Sequence, residues 1–168
     1  VGRMVLDGAV DPAVQGDDLA AMQMRGFEAS LRHWVEDCQA GRNCPLTGDA
    51  DAGMRKMKAF FDSLENSPLE TSDANRPLTR NLAMSAVIGL LYSTETYSIL
   101  TQAMTSALNS NDGSMLLFVA DLLNERNKDG SYASNSMDAI VAINSLDYSP
   151  VGNADQWTKG YETLKSEL

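Results

Sequence analysis

The stretch Thr79-Arg80-Asn81-Leu82-Ala83-Met84-Ser85-Ala86-Val87-Ile88-Gly89-Leu90-Leu91 decides the fold class. Thr79 opens a helix whose interior runs from Leu82 to Leu91. Apolar residues then fall on nearly every side of the helix, as in a helix buried among others. The run cannot cross a bilayer, which needs about 18 or more apolar residues, and Asn81, Ser85 and Gly89 interrupt it. Downstream, Ser93 reads as the next N-cap with Glu95 in the first turn. Tyr97, Leu100, Met104, Ala107 and Leu108 follow at helical spacing. After a turn at residues 109–113 comes a helix of Leu116, Leu117, Val119, Ala120 and Leu123. Arg126 and Lys128 lie near its expected C-terminal end and Gly130 is expected to close it.

Upstream, Met24, Phe27, Leu31, Trp34, Val35 and Cys38 recur at three- and four-residue steps, one face of a helix that Asp17 or Asp18 starts and Gly41 ends. Met54, Met57, Phe61 and Leu64 make a second helix, ending before Ser67-Pro68. Residues 69–78 are turn-rich and read as a loop or a small irregular hairpin. Toward the end of the chain, Met137, Ile140, Val141 and Ile143 form a short helix. Asn153 with Gln156 resembles a capping box, opening a last helix faced by Trp157, Tyr161, Leu164 and Leu168. At the other end, Arg3-Met4-Val5-Leu6-Asp7-Gly8 reads as a short strand and turn. A lone strand leaves its backbone groups without neighbours. The expectation is a mainly α chain of about seven helices with one short N-terminal strand, joined by connections short enough for a packed bundle.

The chain has 168 residues, the size of one domain, and its formal charge is −10. That charge argues against nucleic acid and anionic membrane as partners, both of which need a basic face. No signal-peptide pattern, tandem repeat or low-complexity stretch is read.

Few residues carry chemistry. Ser85 lacks the small residues that a nucleophile elbow needs two positions to either side, having Ala83 and Val87 there, and it sits inside a helix. His33 is the only histidine, and Asp37 one turn on is expected to pair with it as a surface couple. Cys38 and Cys44 are read first as a disulfide tying a helix end to a loop. Two buried thiols, or a zinc site recruiting His33 or Asp37, are the alternatives, although the spacing lacks the short Cys pairs of common zinc sites. Asn109-Ser-Asn-Asp-Gly-Ser and Asn127-Lys-Asp-Gly-Ser lack the alternating carboxylates and closing Glu of an EF-hand and read as turns. No phosphate-cradling loop follows a strand, so neither metal nor cofactor is expected. The nine methionines fall mostly at helix core positions, with an adaptable apolar groove as the other reading.

Three segments carry a resemblance. Val1-Gly-Arg-Met-Val-Leu-Asp-Gly-Ala-Val-Asp-Pro12 is one; Cys38 through Cys44-Pro45-Leu46 is another. The third runs from Arg76-Pro-Leu-Thr79 to Ser93 and resumes over Ala139–Asp147. Together they resemble the secreted α/β-hydrolase peptidases of the tripeptidyl aminopeptidase type, common in actinobacteria. In that family the opening stretch is a strand leaving the hydrolase core, and the cysteine pair follows the first lid helix. Ser145 stands where relatives often have Cys.

The resemblance implies that residues 1–12 are a strand and exit segment of an α/β-hydrolase core and residues 13–168 its helical cap. In this fold the triad runs Ser, Asp, His along the chain. The nucleophile would then precede Val1, and the acid and base would follow Leu168, leaving no triad member here. The implied function is the cap of an exported, extracytoplasmic or cell-envelope serine exopeptidase acting on peptides with free N-termini. Glu95 is the candidate carboxylate for the substrate's α-ammonium group. The implied partners are the rest of the parent hydrolase and a peptide substrate, with self-association through an exposed core-facing surface also expected. The rival reading is a free-standing helical module that binds a peptide or lipid. A small self-sufficient hydrolase using Ser85 or His33 is the third.

Overall fold

The apolar run around Val87 forms the expected buried helix in the computed structural model, which describes residues 2–9, 11, 13–14, 16–148 and 152–167. Val1, Pro12 and Leu168, which belong to the expected opening segment and last helix, lie outside the described residues. Among the described residues the elements are helical: α1 (Gly16–Ala40), α2 (Ala50–Ser63), α3 (Arg80–Leu91), α4 (Tyr97–Ser110), α5 (Ser114–Leu123), α6 (Ser136–Asp147) and α7 (Ala154–Glu167), with a short 3-10 turn at Thr94–Thr96 before α4. Thr79 caps α3, its hydroxyl accepting the Leu82 N–H, and Ser93 caps the 3-10 turn by accepting from Glu95. Asn153 and Gln156 form the reciprocal box read from their spacing. The Asn153 N–H donates to Gln156 Oε1 at 2.9 Å and the Gln156 N–H to Asn153 Oδ1 at 3.1 Å.

The chain divides into two compact units, Phe27–Asn135 and the pair of segments Val1–Gly26 and Ser136–Leu168. The first holds the core. Trp34, Met57, Leu64, Leu78, Leu100, Met104 and Leu116 are its largest fully buried side chains. α3 and α5 pack intimately, and Ala83, Ala86, Val87 and Leu90 of α3 are all buried. Residues 69–78 form the irregular hairpin, closed by an antiparallel bridge between Leu69 and Leu78. Arg76 reaches from this hairpin to Asp121 on α5 with both guanidinium nitrogens, one of them 2.7 Å from Asp121 Oδ1. The second unit has no buried residue among those described, and its α6 presents Val141 and Leu146 to solvent.

Two expectations need correction. Residues 3–8 form no strand; Met4, Val5 and Leu6 stand exposed, because a single extended segment has no neighbour to complete its ladder. α5 stops at Leu123 rather than near Gly130. Asn124 caps it, and Gly130 (φ +89°) serves the turn of the following loop, in which the Gly130 N–H meets the Asn127 carbonyl. Arg126 accordingly lies 3.8 Å from Asp121 as a second cation beside Arg76. In α2 Phe61 packs against the core, as its spacing implies, and Phe60 beside it is buried as well.

Candidate functional site

The site is built at the C-terminal end of α1, where three residues turn inward and one does not. Trp34, Val35 and Cys38 enter the core while Asp37 stays exposed. The indole N–H of Trp34 donates to Thr101 Oγ1 on α4 at 3.2 Å, which fixes the two helices against each other. α1 ends at Gly41, whose N–H meets the carbonyls of Asp37 and Cys38 at 3.2 and 3.0 Å. The chain then makes a tight loop closed by a Cys38–Cys44 disulfide with Cα atoms 5.3 Å apart, the first of the readings that the cysteine spacing left open. Asn43 in this loop adopts a left-handed conformation (φ +67°), which Asn tolerates better than most residues. Beyond the disulfide, Pro45 and Leu46 are buried, and Lys56 of α2 donates to the Pro45 carbonyl at 2.8 Å.

Opposite this end lie the 3-10 turn and α4. The Thr96 hydroxyl donates to the Leu90 and Ser93 carbonyls, so the turn that carries Glu95 is pinned to the end of α3. Tyr97 is buried, its hydroxyl 3.4 Å from the Ser30 carbonyl it donates to. Burial, and then the Asp37 carboxylate, push the Tyr97 phenol above its ordinary pKa, so it remains protonated and a donor. Between the two walls runs an open groove of about 720 Å³. Asp37, Cys38, Arg42 and Asn43 line it from the α1 side and Glu95, Ser98, Thr101, Gln102 and Thr105 from the other.

The structure therefore brings together Glu95, Asp37 and Cys38, the last bonded to Cys44 behind the wall. It does not unite the others. His33 and Asp37 make no ion pair among the described residues; the imidazole instead stands edge-on to the Tyr97 ring at 5.9 Å. Ser85 is exposed on α3 and has no hydrogen bond to His33. The two Asp-Gly-Ser turns are held internally. Asp112 Oδ1 accepts from the N–H and hydroxyl of Ser114, Asp129 Oδ1 does the same with Ser131, and these bonds lower both carboxyl pKa values. Among the described residues no cluster of His, Cys, Asp and Glu could hold a metal, and no helix is long and apolar enough to cross a membrane. Sequence reading missed the groove's polar wall. Residues 98, 101, 102 and 105 share one helix face, but nothing in the spacing shows which element that face meets.

What the fold and site define is a disulfide-stapled helical domain with an open polar groove. No nucleophile–histidine–carboxylate set is assembled in it among the described residues. Known proteins place it more closely. The chain is 32% identical over 165 residues to Carboxylesterase B of Mycobacterium tuberculosis, a match taking in 98% of this chain and 31% of that protein. It is 34% identical over 163 residues to Serine protease Hip1 of the same organism, over 93% of this chain and 31% of that protein, and equally to Serine protease Hip1 of Mycobacterium bovis. Its relatives are thus hydrolases by name, and the chain spans about a third of the length of the curated relatives it matches. No family model matches the chain.

Proposed function

We propose that this chain is the helical cap of an exported serine exopeptidase. In this reading it roofs a reactive serine carried elsewhere in a longer polypeptide and admits peptides with unblocked N-termini. One observation carries the reading: nearly the whole chain aligns with less than a third of proteins named as hydrolases. A cap works by excluding water and restricting entry, which needs no catalytic group of its own. Glu95, held at the groove by the Ser93 cap and the Thr96 bonds, has the charge to receive an α-ammonium group. The Cys38–Cys44 bond fits an oxidising, extracytoplasmic compartment. The exposed apolar residues of the opening segment and of α6 are the surface expected to rest on the hydrolase body, or on a second copy when that body is missing.

The test is to compare residues 1–168 alone with the parent hydrolase on peptide anilides whose N-terminus is free or acetylated. The isolated chain should show no turnover. The parent should favour the free amine, and Glu95→Gln should erase most of that preference. Turnover by the isolated chain that disappears on Ser85→Ala or His33→Ala would overturn the reading, and so would a parent with no hydrolase activity.

A further inference from the structure

We propose that the polar wall of this groove holds the main chain of an extended peptide. In this proposal the hydroxyl and amide row on α4 supplies the bonds and the disulfide loop forms the facing wall. The proposal rests on the cap reading and deepens it by assigning residues to a peptide subsite.

α4 has two unlike faces. Tyr97, Leu100, Ala103, Met104 and Ala107 are buried. Ser98, Thr101, Gln102 and Thr105 line the groove at steps of three, one and three, so they share one side of the helix. Two of the four are already oriented. Thr101 Oγ1 accepts from Trp34 at 3.2 Å, which leaves its own hydrogen to donate outward. The Thr105 hydroxyl donates to the Thr101 carbonyl at 2.7 Å, which leaves its lone pairs to accept. Ser98 and Gln102 make no side-chain hydrogen bond among the described residues, and each can both donate and accept. The row thus offers donors and acceptors in succession along the groove, the complement of a main chain whose N–H and C=O groups alternate. An apolar ligand would leave these groups unpaired, which is costly once water is displaced.

The facing wall comes from Gly41, Arg42 and Asn43. These exposed residues lie between two anchors, the buried Cys38 and the buried Pro45-Leu46 pair, and the disulfide shortens the span between them. Without that bond the anchors persist but the loop between them is free to spread, widening the groove at the wall opposite the hydroxyl row.

The experiment uses the parent hydrolase, with kcat/KM measured on an unblocked peptide anilide and on p-nitrophenyl acetate, an ester with no peptide main chain. The paired variant Ser98→Ala and Gln102→Ala, both exposed positions, should lower the ratio of peptide to ester kcat/KM by about tenfold, the worth of one to two neutral hydrogen bonds. Cys38→Ser with Cys44→Ser should lower it in the same direction, mainly through KM. If the cysteine variant fails to fold, the exposed pair still decides the matter. An unchanged ratio in the Ser98 and Gln102 variant overturns the subsite while leaving the cap reading intact. A parent that hydrolyses neither substrate overturns both.

Discussion

Gly113 and Gly89 face different neighbours, and that difference predicts opposite consequences for the same substitution. A Cβ at Gly113 would stand 2.6 Å from Leu78 Cβ and 3.2 Å from Leu69 Cβ, atoms tied directly to backbone that is itself held by the Leu69–Leu78 bridge. They cannot rotate away, so Gly113→Ala should destabilise the chain by about 1–3 kcal/mol through overpacking. A Cβ at Gly89 would collide with Leu123 Cδ1, the far end of an exposed side chain that can choose another rotamer. Gly89 lies inside α3, so Gly89→Ala should cost little and recover part of the roughly 1 kcal/mol helix-propensity difference between the two residues. The urea midpoint of Gly113→Ala should fall well below the unsubstituted value and that of Gly89→Ala should stay at or above it; equal losses would refute the assignment. Asp121 supplies a pH test at the same scale. The hydrogen bonds from Arg76 hold its carboxyl below the usual carboxylate range, against burial, and the charges of Arg76 and Arg126 add to the effect. A carboxyl depressed in the folded state stabilises above its unfolded pKa of about 3.9, and that contribution is lost as pH falls through the lower folded value. Asp121→Asn should cost on the order of 1–2 kcal/mol at pH 7, with the gap from the parent protein closing below about pH 4. A gap that stays constant down to pH 2 would mean that the pair contributes through shape and not through charge.

Element boundaries were legible wherever a single side chain enforces them. Thr79, Ser93 and the Asn153–Gln156 box all cap as their identities require, since a hydroxyl, amide or carboxylate beside an orphan N–H is a local interaction. Asp49 belongs to the same class. Its carboxylate accepts the Ala52 N–H at 2.8 Å ahead of α2. Asp49→Ala should cost about 1 kcal/mol, read as a loss in melting temperature, while Asp49→Asn should retain most of that stability. An alanine variant as stable as the parent would show that the cap is idle. Boundaries set by tertiary contact were not legible. Gly130 looked like a helix stop, but α5 ends at Leu123 with Asn124 as its cap, and Gly130 serves the turn of the loop beyond. That Phe60 is buried beside Phe61 depends on how α2 is rotated against the core, which one helix's spacing leaves open. The groove was hidden for a similar reason. It joins the end of one helix, a loop, a 3-10 turn and a face of α4, and of its polar lining only Glu95, Asp37 and Cys38 were singled out by their chemistry.

At the scale of the whole molecule, burial is divided unevenly between the two units, and amide exchange should report that division. The unit Phe27–Asn135 contains every buried residue among those described. In the other, Ile140 is 51% exposed, Val141 65% and Leu146 86%, although the helix that bears them is apolar enough to belong in a core. Protection against exchange follows the free energy of local opening, which is small where helices lack cover. The amides of α3 and α5 should therefore exchange slowly in residues 1–168 taken alone, and those of α6 and α7 should exchange within the earliest time points. In the parent hydrolase the slow class should extend to α6, because the body that the cap reading requires would cover its apolar residues and raise the cost of opening it. Self-association offers a rival source of cover, and protein concentration separates the two: slowing of α6 that grows with concentration in the isolated chain identifies a second copy on that surface. If α6 were as protected as α3 in a dilute, monomeric sample of residues 1–168, its apolar face would need no outside cover, and the case for a missing hydrolase body would lose its physical basis.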